Sequence, residues 1–169
     1  IPLLVKGPLG GTTSSFTVLF SIVSLGSLVG ALATARRNDV TGHQVVVGAA
    51  GFGVSLLALA VVPTLALAYA VAPLLGLASI LFLTSSTATV QLLADPAYRG
   101  RVLAIQAMVF LGTTPIGGPL VGWIADTAGP RAAVALGGVA CLVAAAYGQR
   151  AMADPGPRLH DTAEVALAD

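Results

Sequence analysis

The chain has 169 residues, of which 56% are hydrophobic and only 9% charged, with a formal net charge of +1 and a mean hydropathy of +0.93. That balance excludes an ordinary soluble domain, in which about a quarter of residues are charged, because so little charge could not cover a water-facing surface. The near-neutral sum also lacks the basic footprint of a nucleic-acid partner, and a single cysteine, Cys141, leaves no disulfide framework and no thiolate metal cluster.

Ile1 to Val5 has no basic segment before it and is not a signal peptide. It reads as the tail of a helix that starts upstream, so the chain is expected to be a piece of something longer. Residues 14–35 form the first complete uncharged run, closed by Arg36 and Arg37. Within it Gly26 and Gly30 make a Gly-x-x-x-Gly pair, a spacing that lets two helix backbones approach closely in lipid. No glycine cluster is followed by the Gly-Lys-Ser/Thr of a phosphate-binding loop.

From Val40 to Ala94 there is no formally charged residue. A single helix over that run would measure about 80 Å, more than twice a hydrocarbon core of about 30 Å, so the run must fold back. Pro63 is the turning point and divides it into spans at 44–62 and 65–93. The second is longer than a perpendicular crossing needs and contains Pro73, which predicts a tilted or kinked helix. A charged loop, Asp95-Pro96-Ala97-Tyr98-Arg99-Gly100-Arg101, leads into a fourth span at 102–125. Gly129-Pro130 marks the turn to a fifth at 132–149. The expected organisation is an all-α membrane protein, a polytopic transmembrane helix bundle, with residues 1–152 as one transmembrane unit. Residues 153–169 are expected to form a disordered cytoplasmic tail.

Alternating the loops puts Arg36, Arg37, Arg99, Arg101, Arg150 and Arg158 on one side and only Lys6 and Arg131 on the other. This bias makes the arginine-rich side, with the C-terminus, cytoplasmic. Tyr98 and Tyr147 then fall near the inner boundary and Tyr69 and Trp123 near the outer one, as interface anchors.

Polar residues inside the spans are few. Thr84, Ser85, Ser86, Thr87, Thr89 and Gln91 crowd one half of the third span, and Gln106, Thr113 and Thr114 lie along the fourth. Hydroxyls can return their bonds to their own helix, whereas an amide in lipid needs an outside partner or water. Gln91, Gln106, Thr113 and Thr114 are therefore the candidates for lining a substrate pathway. No Asp, Glu, Lys or Arg sits in mid-membrane, so a proton-coupling group would have to lie elsewhere. No catalytic set, metal cluster or paired carboxylates converge; neither enzyme chemistry nor a cofactor is expected. In the fourth span, Gly112 to Gly122 carries Pro115 and Pro119 among four glycines, which predicts a bent helix tightly apposed to a neighbour at Gly118 and Gly122.

The loop from Ala94 to Val102, the Gly112 to Gly122 segment and Gly129-Pro130-Arg131 together resemble helices 10 to 12 of the major facilitator superfamily, most closely its bacterial drug and siderophore exporters. Gly30 with Arg36 and Arg37 resembles the family's cytoplasmic loop motif, though Thr34 stands where that motif has an acid. Gly118-Pro119-x-x-Gly122 is similar to a glycine-proline motif of antiporters that the family carries in helix 5. The resemblance implies a partial major-facilitator fold: the end of helix 7 followed by helices 8 to 12. It also implies secondary active efflux of a small amphipathic compound by alternating access. The implied partners are the lipid bilayer of the cell membrane, an N-terminal six-helix half and a small-molecule substrate. The alternative reading is a non-transporting remnant or membrane packing subunit.

Overall fold

The structure is a computed structural model that describes Val5, residues 10–36 and residues 42–153. The rest of the expected upstream stub, Lys6, Arg37 and the tail from residue 154 with Arg158 lie outside the described residues. Among the described residues there are five helices long and apolar enough to cross a membrane: α1 (Thr13–Ala35), α2 (Gly42–Val61), α3 (Leu65–Leu93), α4 (Arg99–Thr127) and α5 (Pro130–Ala153). Helix is what lipid requires of such a sequence, since each backbone polar group must be satisfied within its own segment.

Local chemistry sets the helix ends. Thr12 caps α1 with a reciprocal pair: its hydroxyl accepts from the Ser15 N–H at 3.3 Å, while its own N–H donates to Ser15 Oγ at 3.2 Å. Asp95 organises the turn between α3 and α4, its Oδ1 accepting from the Ala97 N–H at 2.8 Å. Gly129, at φ +91°, supplies the left-handed residue after α4, and Pro130 opens α5 where its missing N–H costs nothing.

Helix α3 is the centre of the bundle, packed on one side against α1 and on another against α2, while α2 also packs against α5. The neighbouring positions give the directions. Ser15 lies by Tyr69 and Ser27 by Gly76, so α1 and α3 run parallel. Gly48 lies by Phe82 and Gly51 by Ala78, while Val46 lies by Gly148 and Gly53 by Gly138, so α2 is antiparallel to both α3 and α5. Each of these contacts has a small residue on at least one side. A Cβ on Gly26 would stand 2.7 Å from Pro73 Cα, and one on Gly76 would run into the Val23 carbonyl. Across this seam the Ser27 hydroxyl donates to the Gly76 carbonyl at 3.0 Å and the Tyr69 hydroxyl to the Ser15 carbonyl at 3.3 Å. Pro73 lies inside a continuous α3, with the α1 backbone against it.

At one end of the bundle Leu19, Leu59, Ala68, Ala72 and Leu75 enclose Val5 in an apolar core. At that same end Arg131 reaches from the first turn of α5 and donates through Nη2 to the Val62 carbonyl at 3.2 Å, just beyond the C-terminus of α2. The outer faces of the helices leave large apolar side chains exposed, Phe20, Leu28, Met108 and Trp123 among them. Lipid contact accounts for such a surface where water could not.

Two expectations are corrected. Arg99 and Arg101, expected in a loop, belong to the first turn of α4, and the Arg101 guanidinium lies 5.7 Å from the centre of the Tyr98 ring. At 29 residues α4 is about 43 Å long, so its ends extend past the hydrocarbon and charged residues there cost little. The tight packing expected of Gly118 and Gly122 is also not found among the described residues: an added Cβ at either, or at Gly112 or Gly117, meets nothing of theirs within 4 Å. Helix α4 packs mainly against α5 and α3, and lightly, and Ala125 is its one buried residue.

Candidate functional site

The uncovered face of α4 forms an open groove of about 600 Å³, lined by Val109, Phe110, Thr113, Thr114, Gly117, Gly118 and Val121. These positions recur at intervals of three and four, so they stack along one side of the helix, and the adjacent glycines deepen the trough. The Thr113 hydroxyl donates to the Val109 carbonyl and the Thr114 hydroxyl to the Phe110 carbonyl. Both hydroxyls are thus satisfied by their own helix. Pro115 and Pro119 carry no N–H, so the carbonyls of Leu111 and Pro115 lose their usual helical donors. The groove therefore runs beside an interrupted backbone ladder, a feature tolerated at membrane depth where protein or a water-filled cavity lies alongside.

Between α3 and α4 is a cleft of about 200 Å³, lined by Leu83, Thr87, Leu103, Gln106, Ala107 and Phe110. A third cavity, of about 220 Å³, meets it at Leu83 and Phe110 and adds Phe52 and Phe82 from α2 and α3. Phe110 borders all three spaces. No charged side chain lines any of them. Of the four pathway candidates, the structure puts Thr113 and Thr114 in the groove and Gln106 in the cleft, joined through Phe110. Gln91 lies one turn beyond Thr87, exposed, and lines none of these spaces.

The polar stretch of α3 divides in a way composition could not anticipate. Thr84 returns its hydroxyl to the Ile80 carbonyl at 2.7 Å, whereas the hydroxyls of Ser85 and Thr89 are buried with no partner among the described residues. Phe110, Phe52 and Phe82 were not singled out by sequence reasoning. The available signal for Phe110 was its place one turn after Gln106, on the same side of α4. Gly26 and Gly30 face Pro73, Leu77 and Ile80 of α3 and belong to packing. Arg36, at the exposed C-cap of α1, stands at the same end of the bundle as Arg99 and Arg101.

Comparison with known families settles the class. A family model described as transmembrane secretion effector, of the major facilitator superfamily, matches residues 1–162. The chain belongs to this family. No curated protein and no solved structure matches it. The five helices and their lipid-type surface are those of a multi-pass major facilitator transporter, and the groove and cleft are spaces within such a protein.

Proposed function

We propose that these residues form the C-terminal half of a secondary transporter that exports a small amphipathic compound, such as a drug or siderophore, by alternating access. The observation that carries the reading is the bare, glycine- and proline-bearing face of α4, beside four helices that pack on one another. A second six-helix half would cover that face, and substrate would pass along it near the midplane, where carriers of this architecture bind their cargo. Thr113 and Thr114 line the passage, and Pro115 with Gly118 lets α4 flex as the halves rock. The excess of arginine at one end supports a cell-membrane orientation with Arg36, Arg99, Arg101 and the C-terminus cytoplasmic.

The test is efflux of an amphipathic dye from energised membrane vesicles carrying the full-length transporter. Gly118→Leu and Pro115→Ala are each expected to lower the initial rate at least fivefold with membrane abundance unchanged. Efflux unaltered by Gly118→Leu would remove α4 from the pathway.

A further inference from the structure

The cleft between α3 and α4 differs from the groove beside it in how its polar groups are used. Many hydroxyls on the helices, those of the groove included, are already spent on carbonyls of their own helix, as at Thr17, Ser21, Ser24, Ser55, Thr84 and Thr113. The Thr87 hydroxyl and the Gln106 amide are not: neither makes a hydrogen bond to any described residue, and the two line the same cleft. Gln106 lies seven residues into α4, about 10 Å from its start, at the depth of the leaflet on the Arg99 side. An amide carries two donors and an acceptor, and at that depth leaving them unmade is costly.

The adjoining cavity has the opposite character. Its walls are Phe52, Phe82, Phe110, Ile80 and Leu83, and its one hydroxyl, on Ser79, is already donated to the Gly76 carbonyl at 2.9 Å. A polar end and an aromatic end therefore meet at Phe110. With no charged side chain in either, an ion entering would lose hydration and find no counter-charge.

We infer that this two-part cleft binds neutral amphipathic compounds made of an aromatic body and one hydrogen-bonding group. The body lies among Phe52, Phe82 and Phe110, and the polar group bonds Gln106 and Thr87. Because α3 and α4 touch only lightly, such compounds enter sideways from the leaflet on the Arg99 side. This deepens the carrier reading above, on which it rests, by naming the substrate class as uncharged.

The full chain in lipid nanodiscs, with Cys141 replaced by serine, tests it through a reporter cysteine, Ala107→Cys, in the cleft. The probes are phenylnaphthylamine, which is neutral, and its sulfonate, which adds a fixed negative charge to the same skeleton. The neutral probe is expected to slow maleimide labelling at the reporter at least fivefold, and the sulfonate to leave the rate unchanged. Neither should affect a control cysteine, Ser24→Cys, on the exposed side of α1. Gln106→Leu, and separately the near-isosteric Thr87→Val, should each weaken protection by about fivefold, as expected for one lost hydrogen bond in a dry site. Equal protection at both cysteines, equal protection by both probes, or protection indifferent to Gln106→Leu and Thr87→Val would overturn the inference. Efflux by the full-length transporter is measured in parallel. Lost efflux with protection intact would count against the carrier reading alone, and absent protection with efflux intact against the cleft alone.

Discussion

The seam between α1 and α3 and the bare face of α4 are both built on glycine, and they show two different uses of it. At the seam Gly26 and Gly76 stand where another backbone already occupies the space a side chain would need. On α4, Gly117 and Gly118 stand where nothing lies within 4 Å. In water the hydrophobic effect would close both; in lipid, apolar tails solvate a helix as well as a neighbouring helix does, and only close packing or hydrogen bonding favours contact. The seam has both, including the Ser27 to Gly76 bond, and the glycine face of α4 has neither among the described residues. A glycine-rich helix is thus a contact surface only when something of complementary shape is supplied opposite it.

The strongest way to break this comparison is to add one methyl group at the seam. Gly76→Ala would drive a Cβ into the Val23 carbonyl and to 2.9 Å from the Ser27 N–H, both backbone atoms that move only with their helix. The expected cost is about 3 kcal/mol or more, the upper end for overpacking, read as a shifted midpoint in reversible unfolding of the chain in mixed micelles. A cost below about 1 kcal/mol would mean that the seam is looser than described. Gly53→Ala at the crossing of α2 and α5 comes next. Its Cβ would lie 2.8 Å from the Gly138 carbonyl oxygen and 2.9 Å from Leu142 Cγ. One of the two atoms belongs to a side chain rather than to backbone, so a smaller cost of about 1–3 kcal/mol is expected.

The sequence made the α1 side of the seam legible and not the α3 side. Gly26 and Gly30 advertise themselves by spacing, whereas Gly76 has no glycine partner one turn away. Its signal was subtler: Ala68, Ala72 and Gly76, all buried, form a ladder of small residues at intervals of four. The five spans could be read because lipid imposes a length on every crossing, but their ends could not, since arginine and tyrosine extend a helix past the hydrocarbon without penalty. That is why Arg99 and Arg101 appeared to be loop residues. The groove was half legible: the prolines and glycines of α4 marked an unusual helix, but spacing alone does not say whether a partner covers it. The aromatic wall at Phe52, Phe82 and Phe110 was hidden because its members come from three helices whose mutual register no local pattern encodes.

A smaller effect sharpens the comparison from the charged side. Arg131 was counted among the loop charges, yet its guanidinium donates to the Val62 carbonyl beyond the C-terminus of α2, where unpaired carbonyls and the helix dipole both favour a cation. Arg131→Met keeps an unbranched stem like that of arginine and removes the charge and the bond. It is expected to cost about 1–2 kcal/mol, and Arg131→Lys to recover part of that. If Arg131→Met leaves the unfolding midpoint unchanged, the end of α2 is held by apolar packing around Leu59 alone.

The smallest expected effect is the most telling, because it repeats the first substitution on the other region. Gly118→Ala adds the same methyl group that disrupts the seam, but on α4 it projects into open space. Nothing is displaced to oppose the change, and alanine holds a helix better than glycine by about 1 kcal/mol because it has less backbone freedom to lose. Folding stability of the chain should match the parent or rise by up to about 1 kcal/mol. If a second half covers the groove, as proposed above, the same variant would have a different surrounding in the full-length transporter, since any segment seated in the groove must meet the new methyl. The chain tolerating Gly118→Ala while the full-length protein loses stability or efflux would identify the α4 face as an interface completed from outside these residues. Destabilisation of the chain itself by as much as Gly76→Ala would mean that α4 packs internally, and the distinction between the two glycine surfaces would fail.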